Sequence, residues 1–125
     1  MIIIIKGIGT DMVLISRIEK SIETERFLKK YFTENELLLF NKNKKSETIA
    51  ANFAAKEAIS KCFGTGILGF SLNEIEILRD NKGKPFANFF GNAEEIKNNL
   101  KIDKVHISIT HDGGYALCFA VAEGE

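Results

Sequence analysis

The spacing of apolar residues changes character along the chain. Ile2 to Ile5 form a short, unbroken apolar run, which predicts a strand buried on both faces. GIGTD, residues 7 to 11, interrupts it with two glycines. From about Leu14 the period becomes helical. Ile15, Ile18 and Ile22 fall on one face, with Arg17, Lys20, Glu23 and Glu25 on the other. Ser16 and Glu19 have capping-box spacing. A second helical piece covers Phe27 to Phe32. Thr33 and Glu36 form another capping-box pair opening ENELLLF. NKNKKSE, residues 41 to 47, reads as a polar loop. A long helix is predicted over 47–63, ending at Gly64 and Gly66, where helix C-terminal glycines belong.

Beyond that helix the period falls to two. Ile75 and Ile77 alternate with Glu74 and Glu76, as in a half-buried strand. DNKGKP has turn chemistry, and PFANFF is the returning strand of a hairpin. A short helix is expected over 93–100. Val105, Ile107 and Ile109 alternate with His106, Ser108 and Thr110, HDGG turns the chain, and YALCFAVA forms a central buried strand. The pattern predicts an α+β fold, an antiparallel-rich sheet packed on one long helix, in a single domain spanning 1–125.

Composition narrows the picture. Lys+Arg and Asp+Glu balance at 17 each, so overall charge favours neither nucleic acid nor membrane, and any charged partner must meet a local patch. Ten phenylalanines without tryptophan predict an aromatic core. Cys62 and Cys118 lie in apolar segments without metal-ligand spacing and are expected to be free, buried thiols. MIIIIKG is too short for a signal-peptide core, and no run approaches the ~20 apolar residues of a membrane span. A cytoplasmic protein is expected.

The candidate chemistry centres on FAAKEAISKCFGTG, residues 53 to 66. Phe53, Glu57 and Lys61 share one helix face, beside the small residues Ala54, Ala58 and Cys62. Two readings fit the charges: a solvent-exposed ion pair, or a carboxylate and an ammonium facing an anionic ligand and its metal. Asp11, after the first strand, is either a helix N-terminal acid or a carboxylate at the sheet edge. Together, Asp11 and Glu57 would suit Mg²⁺, which usually takes one or two carboxylates plus substrate phosphates. His111, next to Thr110 and two glycines, is a turn residue or part of an anion site. His106 reads as structural. GTG at 64–66 ends a helix instead of opening one, so it is no P-loop, although Gly64 leaves room for a ligand beside the backbone.

Four stretches taken in order resemble the holo-acyl-carrier-protein synthase family, the small bacterial branch of the phosphopantetheinyl transferases. They are GIGTDMVLISRIE, FAAKEAISKCFGTG, DNKGKPF and ISITHDGGYALCFAV, and they cover nearly the whole chain. The resemblance implies transfer of 4′-phosphopantetheine from coenzyme A to a serine of acyl carrier protein, with Mg²⁺ or Mn²⁺. It implies that Asp11 and Glu57 hold the metal and that Lys61 lies near the pyrophosphate. It also implies that Gly83, Lys84, Pro85 and His111 belong to the coenzyme A site, in a homotrimer with active sites between subunits. Thr10 stands where the family often has isoleucine, and Thr110 where it often has serine. Serine attack on a pyrophosphate phosphorus needs charge neutralisation and a base, and Glu57, acting directly or through water, is the candidate. The carrier protein is expected to be acidic and to meet Arg17, Lys20 and Arg26, with Met12 or Ile15 as apolar anchors. The rival is a non-catalytic module that binds coenzyme A or a nucleotide.

Overall fold

The computed structural model describes residues 2–42, 45–64 and 68–125. Strand β1 spans Ile4–Leu14 and runs directly into helix α1, Ile15–Ser21. Helices α2 (Glu25–Tyr31), α3 (Glu34–Lys42) and α4 (Lys45–Cys62) follow. A 3-10 turn at Leu72–Glu74 precedes the hairpin of β2 (Ile75–Arg79) and β3 (Pro85–Phe89). Helix α5 (Gly91–Asn99) leads into β4 (Ile102–Asp112) and β5 (Tyr115–Gly124). The α+β, antiparallel-rich expectation holds, with five helices and two antiparallel sheets among the described residues. One sheet has the order β1-β5-β4, and the other is the β2-β3 hairpin. As expected, β5 is central.

The first segment differs most from its sequence reading. Ile2 to Ile5 are exposed, not buried on both faces. The strand does not stop at GIGTD; it pairs with β5 through Thr10↔Phe119 and Asp11↔Cys118 as far as Leu14. The glycines serve close packing instead of chain reversal. A Cβ on Gly7 would lie 2.1 Å from the Cys62 carbonyl oxygen, and one on Gly9 would lie 2.0 Å from that of Ala58. Helix α4 therefore lies against the β1 backbone, with Ala54, Ala58 and Cys62 buried as its small-residue face. The opposite sheet face is left uncovered. Ile8, Met12 and Phe119 are 61%, 59% and 42% exposed there, beside the exposed polar Thr10 and Ser108.

Local signals had mixed outcomes. The Thr33–Glu36 capping box is present: the Thr33 N–H donates to Glu36 Oε1 (3.1 Å) and the Glu36 N–H to Thr33 Oγ1 (3.2 Å). The Ser16–Glu19 box is not. Because β1 continues to Leu14, Leu14 is the N-cap of α1 and no side chain caps it. The loop expected over 41–47 is largely helix, since α3 reaches Lys42 and α4 begins at Lys45. Helix α5 starts at Gly91, two residues earlier than the pattern indicated. Gly66 lies outside the described residues. Both cysteines are free and buried, and burial pushes their thiols up to about 11 for Cys62 and about 12 for Cys118.

Strand β2 is more deeply buried than its alternation implied, because Glu76 is inside. It accepts a hydrogen bond from Thr33 Oγ1 (2.6 Å) and another from Asn88 Nδ2 (3.1 Å). Beside it lies a wholly buried polar group centred on Lys56, Glu36 and Asn52. Lys56 Nζ donates to Glu36 Oε1 at 2.6 Å, and Asn52 Nδ2 donates to Glu36 Oε2 at 2.9 Å. Buried polar atoms persist only when partnered, and every buried side-chain nitrogen and oxygen among the described residues has a partner.

Candidate functional site

The close approach of α4 to β1 brings three of the predicted residues together. Asp11 and Glu57 line one cleft of about 380 Å³, with Met12, Arg17, Ser21 and Phe53 among its other walls. Lys61, one helical turn beyond Glu57, reaches across to β1. Its Nζ donates to the Thr10 carbonyl at 2.7 Å and lies 3.8 Å from Asp11 Oδ1. The two carboxylates therefore come from different elements, and the glycine notches determine their approach.

Their electrostatics are those of acids held short of a counter-charge. Burial holds the Asp11 carboxyl above its ordinary value, and the Lys61 ammonium only partly offsets this. Glu57 is also raised, first by burial and then by the nearby Asp11 carboxylate, with Lys61 opposing. A cation between the carboxylates would relieve both effects. Among the described residues no group of three or more His, Cys, Asp and Glu could hold a metal ion. A cage made wholly of protein is thus absent from those residues. Two carboxylates opening on a cleft match the sparser donor set of Mg²⁺, which retains waters and takes ligand oxygens.

The other predicted residues lie elsewhere. Lys84 and Pro85 line a separate cavity of about 350 Å³ with Asp80, Phe86, Lys104 and His106. Gly83 takes a left-handed conformation (φ 83°) in their turn, where Asp80 Oδ1 accepts from the Lys82 and Lys84 N–H groups at 2.8 and 2.9 Å. Thr110 and His111 are exposed near the end of β4, with His111 Nε2 3.3 Å from the Glu47 carbonyl oxygen. Gly64 follows α4 with φ 79°. None of these lines the Asp11–Glu57 cleft. Of the basic residues, Arg17 enters that cleft, whereas Lys20 and Arg26 lie outside its lining. His106, read as structural, pairs with Glu123 at 2.8 Å.

Residues 7–120 match the 4′-phosphopantetheinyl transferase superfamily. The chain belongs to this superfamily. A holo-[acyl-carrier-protein] synthase from Clostridium perfringens is 47% identical over 95% of this chain and 94% of its own length. Among solved structures, the holo-ACP-synthase of Plasmodium yoelii superposes with a TM-score of 0.89 at 34% identity, covering 100% of this chain and 99% of that one. The Helicobacter pylori holo-[acyl-carrier-protein] synthase, solved in complex with coenzyme A, gives a TM-score of 0.81 at 34% identity, over 92% of this chain and 98% of that one.

Sequence reasoning passed over one group. Asn52, Lys56 and Ser60 recur every four residues along α4, and all three are buried. That polar row on an alanine-rich helix was a visible signal, obscured by the neighbouring Glu57–Lys61 pair.

Proposed function

We propose that this chain transfers the 4′-phosphopantetheine group from coenzyme A to a serine of apo-acyl carrier protein, releasing adenosine 3′,5′-bisphosphate. The observation that carries the reading is the shared cleft of Asp11 and Glu57 beside the Lys61 ammonium. The superfamily match and the Helicobacter relative crystallised with coenzyme A support it. Asp11 and Glu57 would hold Mg²⁺ or Mn²⁺, which when bound neutralises pyrophosphate charge. Lys61 places a fixed positive charge beside them, where negative charge develops on the departing phosphate. Glu57, directly or through a water, takes the proton of the attacking serine hydroxyl. No covalent enzyme intermediate is needed, because alignment and charge neutralisation suffice for phosphoryl transfer.

Gly64, Gly83, Lys84, Pro85, Thr110 and His111 hold coenzyme A in this reading. Their distance from the cleft within one chain is accounted for by a homotrimer whose sites lie between subunits. The uncovered apolar face carrying Ile8, Met12 and Phe119 supports assembly through that sheet. Sedimentation should give three times the chain mass, and a monomer at micromolar concentration would overturn the assembly. Arg17, Lys20 and Arg26 receive the acidic carrier protein. We place the reaction in the cytoplasm; among the described residues no helix is long and apolar enough to cross a membrane. The matched range supports one transferase domain over 1–125.

The test is incubation with coenzyme A and apo-carrier protein, followed by mass spectrometry of the carrier. A mass gain equal to phosphopantetheine, lost with a chelator and restored by Mg²⁺, is expected. Coenzyme A binding without transfer would instead indicate a non-catalytic module. In the same assay, raising salt should raise KM for the carrier more than KM for coenzyme A, because exposed charges are screened. Equal sensitivity would remove charge from the docking step.

A further inference from the structure

We propose that Lys56, which precedes Glu57 in α4 and does not line the Asp11–Glu57 cleft, is a positioning residue that fixes the walls around Glu57. This rests on the role given to Glu57 above. The Lys56 side chain is completely buried. Four oxygens surround its ammonium, which has only three N–H bonds to give. They are Glu36 Oε1 (2.6 Å) and the backbone carbonyls of Tyr31 (2.8 Å), Leu72 (3.0 Å) and Ile75. The Phe32 ring lies beneath it, 5.0 Å from the nitrogen.

The three carbonyls come from separate parts of the chain. Tyr31 ends α2, Leu72 starts the 3-10 turn and Ile75 starts β2. Two of these residues, Tyr31 and Leu72, line a second cleft of about 330 Å³ that also contains Glu57 and Phe53. Glu57 therefore stands between two clefts, with Phe53 lining both. One buried ammonium ties two lining residues of the second cleft to the helix turn that carries the carboxylate. An ion pair alone would not require this arrangement. Glu36 already draws donors from Thr33, Asn52 and Ile77 besides Lys56, and the two N–H bonds that Lys56 has left are shared among three carbonyls. If the lysine is lost, α2 and the 3-10 turn are no longer held at fixed height relative to Glu57, and small misplacements of a reacting group are costly.

Two variants separate positioning from stability. Glu36→Gln removes the charge of the pair, turns its NH2 toward either the Thr33 and Lys56 donors or those of Asn52 and Ile77, and keeps the three carbonyls beside Lys56 Nζ. It should lower Tm but keep kcat within about threefold. Adding Lys56→Met removes the buried charge, which favours Tm, but leaves the Tyr31, Leu72 and Ile75 carbonyls without its donors, so Tm should recover only in part. In this double variant kcat should nevertheless fall by about tenfold to a hundredfold, with KM for coenzyme A unchanged. If kcat recovers along with Tm, Lys56 is only half of a structural ion pair and the proposal is overturned. The same holds if Glu36→Gln alone loses as much kcat as the double variant. Should the methionine variant fail to fold, Lys56→Gln in the Glu36→Gln background leaves a shorter donor in the site and is held to the same two readouts. A Glu57→Gln control run alongside keeps the cases apart: its full activity would sink the role of Glu57, whereas the Lys56 result is read from the split between kcat and Tm.

Discussion

Glu57→Gln should lower the transfer rate by at least about a hundredfold while leaving the fold and its melting temperature intact. The substitution preserves size and shape and removes one negative charge from a cleft holding two. The folded state already resists ionisation of Glu57, through burial and through Asp11. A neutral amide therefore relieves repulsion and should leave Tm unchanged or slightly higher. What it removes is an anion for the metal and an acceptor for the serine proton, and glutamine supplies neither. The check pairs thermal unfolding with carrier mass spectrometry. Near-normal turnover in a well-folded variant would take Glu57 out of the mechanism.

Gly9→Ala should have a comparable effect for a different reason. The added methyl carbon would lie 2.0 Å from the Ala58 carbonyl oxygen and 2.9 Å from Lys61 Cβ. The nearest obstacle is helix backbone, which cannot rotate aside, so β1 and α4 must separate. Overpacking of this kind costs about 1–3 kcal/mol. The separation also acts at the site, because Asp11 lies two residues beyond Gly9 and Glu57 one residue before Ala58. Both Tm and Mg²⁺-dependent turnover should fall together. That coupling distinguishes this variant from Glu57→Gln, which should lose turnover alone. A Gly9→Ala protein with unchanged Tm and full activity would show that the notch is not needed to bring the carboxylates together.

Much of this was legible in the sequence because it depends on local periodicity. The face shared by Phe53, Glu57 and Lys61, the buried row of Ala54, Ala58 and Cys62, the DNKGKP turn and the central position of β5 all follow from repeats within one element. The misreadings came from contacts between elements. Gly7 and Gly9 signal a break only when α4 is left out of consideration; once it is present, they mark close approach in an unbroken strand. Ile2 to Ile5 look internal on composition, yet in the described chain nothing covers them. Glu76 alternates as a surface residue should, but Thr33 and Asn88 partner it inside. The row of Asn52, Lys56 and Ser60 shows in the sequence, but the role of Lys56 does not, because it depends on three carbonyls from distant parts of the chain.

The two native thiols also make the protein convenient for spectroscopic work. Cys62 Sγ donates to the Ala120 carbonyl from inside the α4–sheet layer, and neither thiol readily forms the thiolate that alkylating dyes attack. A cysteine introduced on an exposed helix would carry a maleimide fluorophore by itself, so carrier docking could be followed by fluorescence without first stripping the chain of its own sulfhydryls.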